Sequence, residues 1–328
     1  MMDYIISITN KCNLRCRYCY EKKLNTVPGS LSDETAQKTI EFINARNNAE
    51  RVYLFGGEPL LYKDVVKKLV SGINAKSYII TTNGMLLDED FIKWCVRNKV
   101  IINLSHDGMD CSQRGIDVNE LNVKLRVLLK YQPDTLVQMV YNEDSLDMLA
   151  QNVLYFKNLG VRKVSASMDS FLVSDDPDRF ADRMMEEWEK VSKIKDMFIY
   201  QLDEKERTVK NGKSEKCEIC KRKMFINWDA KIYPCVQFQN LPAFQCGDIF
   251  SGLDPEQTVI SHPDYSSLST RCDGCEIKEY CHNSCACRKM SSTGGLRDIS
   301  EAVCIEEQVL IFTALKKITI HSLQEELK

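Results

Sequence analysis

Long apolar runs are missing from this sequence: none approaches the roughly 18 residues that a membrane span needs. Histidine is scarce, with 4 in 328 residues. Charge of either sign is not in excess; the net charge of -3 predicts no phosphate-tracking basic surface and argues against a nucleic-acid binder. The N-terminus, Met1-Met2-Asp3-Tyr4-Ile5-Ile6, has no basic segment and no cleavage site, so no signal peptide is read there. There is no repeat of fixed period and no low-complexity tract. An apolar content of 44% excludes collagen-like and disordered chains and allows a sizeable core, as one large α/β domain or two ordinary ones. A cytoplasmic chain is expected. Disulfides are kept reduced there, so 15 cysteines point to metal or redox chemistry.

Those cysteines are unevenly placed. Cys12, Cys16 and Cys19 open the chain, Cys95 and Cys111 stand alone, and the other ten fall between Cys217 and Cys304. The body between is cysteine-poor and alternates strand with helix. Short β-branched or aromatic runs predict strands at Tyr4–Ile8, Val52–Phe55, Tyr78–Thr82, Val100–Ser105, Leu136–Tyr141 and Lys163–Met168. A helix is predicted from Ser32, an N-cap followed by Asp33 and Glu34, with apolar Ala36, Ile40 and Ile43. Further helices are read over roughly 63–74, 88–98, 118–131, 144–158 and 178–198. Six successive βα units favour a parallel sheet with helices outside, curled into a barrel or doubly wound; the loops after the strand C-termini then form the active face. The charged stretch 201–216, with Asn211-Gly212, reads as a linker. Apolar residues at 305, 309, 312 and 315 predict a closing helix.

The spacing Cys12-x3-Cys16-x2-Cys19 directly follows the first strand. Three thiolates from one loop can ligate three irons of a [4Fe–4S] cube and leave the fourth open to a small molecule. A structural zinc would want four closed ligands, and no fourth Cys or His is near in sequence. With Tyr18 before the third cysteine, this loop resembles the signature of radical S-adenosylmethionine (SAM) enzymes. The resemblance implies that SAM chelates the open iron and is cleaved by an electron to a 5′-deoxyadenosyl radical, which abstracts hydrogen from a substrate. Phe55-Gly56-Gly57-Glu58-Pro59 after the second strand looks like the family's motif for the SAM amino group; paired glycines let backbone approach closely, and Glu58 can accept from an ammonium. The resemblance also implies Asn83, in Thr82-Asn83-Gly84 after the third strand, as a further SAM contact. Ser105-His106-Asp107-Gly108 after the fourth is similar to the family's Ser-x-Asp-Gly, which gives Ser105 and Asp107 the ribose hydroxyls or the methionine end. His106 is read as a polar loop residue in preference to a catalytic base, and Met139–Asn142 and Met168 as sheet core and turn in preference to adenine neighbours. No catalytic residue is named by the sequence.

The second cysteine set reads Cys217-x2-Cys220-x14-Cys235, then Cys272-x2-Cys275-x5-Cys281-x3-Cys285, then Cys304. Paired Cys-x2-Cys knuckles also occur in zinc ribbons. The whole pattern resembles the SPASM extension of radical SAM enzymes. That resemblance implies two auxiliary [4Fe–4S] clusters, the first on Cys217, Cys220, Cys235 and Cys285, the second on Cys272, Cys275, Cys281 and Cys304. With the first cube it makes three clusters. Cys217 is the least secure ligand, and Cys246 is its best substitute. Cys95, Cys111 and Cys287 are read as bystanders. Ala230 stands where the family often has glycine. Val236 stands where sulfatase maturases carry an aspartate.

The resemblance therefore implies residues 1–200 as a partial (β/α)6 TIM-like barrel, 201–216 as linker, and 217–328 as a small Cys-rich SPASM domain with a C-terminal helix. It implies a maturase that forms a thioether or carbon–carbon crosslink in a ribosomally made peptide. The alternatives are sulfatase-maturase oxidation of serine or cysteine to formylglycine, and small-molecule radical oxidation. The expected partners are a peptide and an external electron donor of flavodoxin or ferredoxin type. The chain starts at the first strand and leaves no room for an N-terminal recognition domain, so leader recognition falls to another protein or to the barrel mouth and SPASM region. No nucleic-acid or membrane partner is expected.

Overall fold

The computed structural model describes residues 1–24, 27–214, 222–254, 272–282 and 285–326, with side chains through 320. The chain divides into two compact units: Met1–Ser105 with Asp110–Thr135 and Glu218–Pro263, and His106–Met109 with Leu136–Cys217 and Asp264–Lys328.

The first unit is built on strands β1 (Met2–Thr9), β2 (Ala49–Gly56), β3 (Ser77–Thr82) and β4 (Val100–Ser105), paired in parallel in that order. Each contains its predicted run. Alternation places Tyr4, Ile6 and Ile8, Val52 and Leu54, Ile80, and Ile102 and Leu104 on one face, all fully buried. The helices α2 (Asp33–Arg46), α3 (Lys63–Gly72), α4 (Glu89–Arg97) and α5 (Val118–Tyr131) bury matching stripes. Ser32 caps α2 as expected, its hydroxyl accepting from Thr35 N at 3.0 Å. Beyond β1 the sheet continues through β8 (Lys223–Ile226), which pairs parallel with β1. The antiparallel strands β9 (Lys231–Tyr233), β10 (Gly247–Asp248) and β11 (Gly252–Leu253) follow. At the β8–β9 turn Ala230 has φ +74, the left-handed region that favours glycine.

The second unit holds β5 (Leu136–Tyr141), β6 (Lys163–Met168) and a short β7 (Phe198–Ile199), again parallel. Met139 and Met168 are buried on these strands, as core. Helices α6 (Leu149–Asn158) and α7 (Pro177–Ser192) follow β5 and β6. The first ten residues of the stretch read as a linker, 201–216, are helical: α8 spans Tyr200–Lys210 and buries Leu202, Lys205 and Thr208 at spacing i, i+3, i+6. Its charges hid that stripe, because one of the buried residues is a lysine. Helices α9 (Ala286–Thr293) and α10 (Glu301–Glu326) end the unit. The closing helix is present, but its inward surface carries Glu306 and Glu307 beside Ala302, Val303, Val309, Leu310, Ile311, Thr313 and Ala314; of the four expected residues only Val309 is buried, and Phe312 is exposed. The apolar reading missed this phase by passing over buried carboxylates.

Candidate active site

The loop after β1 is braced before any ligand is considered. Thr9 Oγ1 donates to Gly29 O at 2.6 Å and accepts from Lys11 N at 3.0 Å. Asn10 Oδ1 accepts from Gly29 N at 2.6 Å, and Asn10 Nδ2 donates to Val27 O at 2.7 Å. Cys12 is exposed on this loop, and Cys16 and Cys19 are half-buried. Short helix α1 (Tyr20–Leu24) follows at once. The Cys12 thiol is pushed up, first by the protein packed around its sulfur although the residue as a whole is exposed; a Leu14 N–H opposes this, and the charges of Glu58, Cys16 and Cys19 add to it. A thiol disfavoured in this way, with two more on the same loop, is a donor set whose charge a multiply charged iron cluster would offset, so these residues fit one. Among the described residues no three Cys, His, Asp or Glu side chains converge on a single metal ion.

The end of β2 closes against this loop. Gly57 N donates to Thr9 O at 2.6 Å, and Glu58 N to Lys11 O at 2.9 Å. A Cβ on Gly56 would lie 2.1 Å from Thr9 O, and one on Gly57 2.3 Å from Lys11 O. The close approach expected of the glycine pair is thus made first to the chain's own cysteine loop. Gly56 also has φ +134, outside the range that L side chains favour.

Glu58 is 0% exposed. Its Oε1 accepts from Leu60 N at 2.9 Å and Thr82 Oγ1 at 2.8 Å, and its Oε2 from Asn83 N at 2.8 Å. Burial pushes its carboxyl up, and those three donors oppose the shift. A carboxylate offers about four lone-pair sites, so Oε2 keeps room for one more donor. Pro59 opens the short turn that Glu58 caps. Asn83 Nδ2 reaches Asn13 Oδ1 at 2.8 Å and Cys12 Sγ at 3.7 Å. A chain of bonds therefore runs from the ends of β2 and β3 to the first cysteine.

Two further braces were not read from the sequence. Arg17 N donates to Gln113 O at 2.9 Å, and the Arg114 guanidinium lies 5.5 Å from the centre of the Tyr18 ring. Asn13, Gln113 and Arg114 belong to no spacing pattern, and their partners lie up to about a hundred residues away, so a single sequence carries no signal for them.

Ser105 closes β4, half-buried. In the second unit, Asp107 is buried and its Oδ1 accepts from Val140 N at 3.1 Å. His106 is fully buried, its Nδ1 accepts from Gly108 N at 3.1 Å, and its ring meets Phe156 edge-on, which suits the structural reading of this residue.

Of the later cysteines, Cys217 and Cys220 lie outside the described residues. Cys235, half-buried in the first unit, precedes the turn Val236–Phe238. Nearby, Gln239 Nε2 donates to buried Glu21 Oε1 at 2.9 Å, and burial pushes Glu21 up to about 7 against that bond. In the second unit Cys272, Cys275, Cys281, Cys285 and Cys304 are all half-buried; Cys285 caps α9, and Cys304 lies in the first turn of α10. Cys246 is buried and its thiol points to Phe244 O at 3.5 Å. Cys111 and Cys287 are buried, as is Cys95, whose thiol burial pushes up to about 12.

Residues 6–122 match the radical SAM superfamily. That segment, about a third of the chain, is a radical SAM domain. The family's cofactors are a [4Fe–4S] cluster and SAM, and the cysteine loop, glycine pair and Glu58 all lie inside the matched segment. An uncharacterized protein of Methanocaldococcus jannaschii is 26% identical over 188 residues, 50% of this chain and 62% of that one. The GTP 3′,8-cyclase of Aquifex aeolicus is 28% identical over 173 residues, 48% of this chain and 53% of that one. The chain thus spans less than two thirds of these curated relatives. Among solved structures, anSMEcpe with bound AdoMet superposes with a TM-score of 0.79 at 18% identity, covering 100% of both chains. SuiB of Streptococcus suis bound to S-adenosylmethionine gives 0.67 at 15%, covering 92% of this chain and 77% of that one. Both likenesses show the fold. No described helix is long and apolar enough to cross a membrane.

Proposed function

We propose that this radical SAM enzyme is a peptide maturase that forms a thioether or carbon–carbon crosslink in a ribosomally made peptide. The observation that carries the proposal is one chain holding both the braced Cys12–Cys16–Cys19 loop and a second cysteine-rich half. When bound, the cluster and SAM supply a 5′-deoxyadenosyl radical that removes a hydrogen atom from the substrate. The chain's own residues build the place where this happens. Cys12, Cys16 and Cys19 would hold the cluster. Gly56, Gly57 and Pro59 shape the adjoining wall, and the remaining acceptor site on Glu58 Oε2 suits the ammonium of SAM. Asn83 and Tyr18 flank the first and third cysteines. Ser105 and Asp107 keep the SAM roles that the resemblance gives them.

Two auxiliary [4Fe–4S] clusters belong to the proposal, on Cys217, Cys220, Cys235 and Cys285 and on Cys272, Cys275, Cys281 and Cys304. With eight ligands neither has an open iron, which favours a role in carrying an electron from a substrate radical. A peptide partner is supported by solved relatives of the same fold: anSMEcpe has been crystallised with the Cp18Cys peptide, and SuiB with the precursor peptide SuiA. Val236, not a carboxylate, follows Cys235, which weighs against the sulfatase-maturase alternative.

The test is anaerobic reconstitution with dithionite and SAM, followed by co-expression with a candidate peptide and mass spectrometry. We expect 5′-deoxyadenosine from the wild type and none above background from Cys12→Ala/Cys16→Ala/Cys19→Ala. The peptide should lose two hydrogens and yield no fragments inside the bridged segment. A product that instead forms a hydrazone, as an aldehyde does, would shift the reading to formylglycine.

A further inference from the structure

Asn83 stands at the turn after β3 and is 7% exposed. Its polar groups are already engaged. The backbone N–H donates to Glu58 Oε2 at 2.8 Å, and the side-chain Oδ1 accepts from Met85 N at 3.0 Å. Of the two hydrogens on Nδ2, one goes to Asn13 Oδ1 at 2.8 Å and the other lies toward Cys12 Sγ at 3.7 Å. The orientation of this amide is fixed by its neighbours. A backbone N–H can only donate, so the Met85 bond holds the oxygen on that side and leaves the nitrogen facing Asn13 and Cys12.

The sulfur has a second donor, Leu14 N at 3.4 Å, but that bond is made within the cysteine loop itself. Asn83 reaches the same atom from 71 positions away, on a strand end that the loop did not build. As a thiol, Cys12 can also donate to Asn13 Oδ1 at 3.9 Å. A thiolate has no proton to give. Once it binds iron, this sulfur is an acceptor only, and Leu14 and Asn83 are donors to it. Such bonds have a redox sign. The electron that a cluster accepts is shared with its sulfurs, so an N–H aimed at a sulfur stabilises the reduced form more than the oxidised one. Burial of Asn83 keeps that bond from being screened by water.

We infer that Asn83 is a positioning residue that raises the reduction potential of the first cluster through its amide N–H on Cys12 Sγ. The inference rests on the placement of that cluster on Cys12, Cys16 and Cys19. The resemblance gives Asn83 to SAM; here both amide hydrogens go to the chain's own atoms, and Oδ1 keeps one lone pair beyond the Met85 bond.

The test is a redox titration of the anaerobically reconstituted full chain, read by electron paramagnetic resonance. Dithionite supplies one electron per cluster, and no atom is transferred. The first cluster's signal is the one that Cys12→Ala/Cys16→Ala/Cys19→Ala lacks. Asn83→Ser removes both amide donors without adding charge. Asn83→Asp keeps the shape and an acceptor for Met85 N, but puts a carboxylate oxygen where the donor stood. We expect the ratio of reduced to oxidised cluster in Asn83→Ser to fall about tenfold at a fixed potential, a midpoint about 59 mV lower. Asn83→Asp should fall further in the same direction. A merely structural role would lower iron content and leave the midpoint of the loaded cluster where it was. A midpoint unchanged or raised in Asn83→Ser therefore overturns the inference. If neither variant loads iron, wild type decides. With asparagine ¹⁵N-labelled in its side-chain amide, the reduced cluster should show a ¹⁵N coupling that unlabelled protein lacks and that the unlabelled nitrogens of SAM cannot supply. Absence of that coupling also overturns it. Loss of no signal at all in the triple cysteine variant would sink the placement of the cluster on this loop, a result separate from the midpoints.

Discussion

Glu307→Gln is the sharpest test of how the cysteine-rich half is held. Glu307 is 1% exposed on α10. Its Oε2 accepts from Lys205 Nζ at 2.6 Å and His282 N at 2.8 Å, and its Oε1 from Arg288 Nη1 at 2.9 Å. Next to it, Glu306 Oε1 accepts from Tyr141 OH at 2.8 Å, and Glu306 Oε2 takes the other arm of Arg288. Two carboxylates thus gather β5, α8, α9 and His282. Glutamine keeps the shape, but its amide nitrogen must face one of the donors, and Lys205 with Arg288 are left sharing a single carboxylate. Breaking a buried pair in this way costs about 3–5 kcal/mol.

A second route gives a similar size. Burial alone would push the Glu307 carboxyl up from 4.5, but the Arg288 and Lys205 charges, the Lys205 hydrogen bond and the His282 N–H outweigh it and hold it down at about 2. A drop of that size is worth about 3 kcal/mol. The folded value is depressed, so the stabilisation is full above about pH 4.5 and is lost as pH falls toward 2. Urea unfolding of wild type and Glu307→Gln, both free of iron, should differ by about 3 kcal/mol at pH 7. More than half of that difference should vanish by about pH 3. A difference under about 1 kcal/mol at pH 7, or one that does not shrink in acid, would refute the argument, because it would mean that water reaches and screens the network.

Gly57→Ala should empty the first cluster site selectively: its Cβ would meet Lys11 O at 2.3 Å, so the loop of Cys12 must move. Iron analysis should show a loss of about one cube's worth, with SAM cleavage abolished and the remaining iron retained; full iron content with normal cleavage would contradict the packing. Ala230→Gly should leave stability unchanged or raise it by up to about 1 kcal/mol, because relief of left-handed strain at φ +74 exceeds or balances the added freedom of the unfolded chain. Thermal unfolding checks this, and a drop of several degrees would show that the turn is not strained.

Much of the fold is legible because each strand of the body is a short apolar run that stops at a turn-forming motif. Phe55-Gly56-Gly57 ends β2 where it must, and Ser105-His106-Asp107-Gly108 follows β4. What escaped depends on distant partners. Lys205 looks like a surface lysine in a charged run and is buried only because Glu307 arrives 102 positions later. The β8–β9 hairpin is visible in Asn227–Pro234, yet its docking alongside β1, Ile6 opposite Ile226, is set by sheet register and leaves no local mark. The closing helix was read by its apolar residues, and its true inward face contains two carboxylates that no apolar pattern would count.

The same logic changes what the motif residues mean. A glycine pair and an acid after the second strand look, in sequence, like groups reserved for a ligand. In the folded chain the glycines are spent on Thr9 O and Lys11 O, and three of about four acceptor sites on Glu58 are spent on Leu60, Thr82 and Asn83. The motif therefore acts before any ligand arrives: it fixes where the cysteine loop stands and leaves one acceptor site aimed by bonds already made. Precision of this kind is cheap for the ligand, since the ordering cost is met at folding and not at binding. It follows that damage to Thr82 or Asn83, neither of which carries a charge, acts on the same site through Glu58 and Asn13.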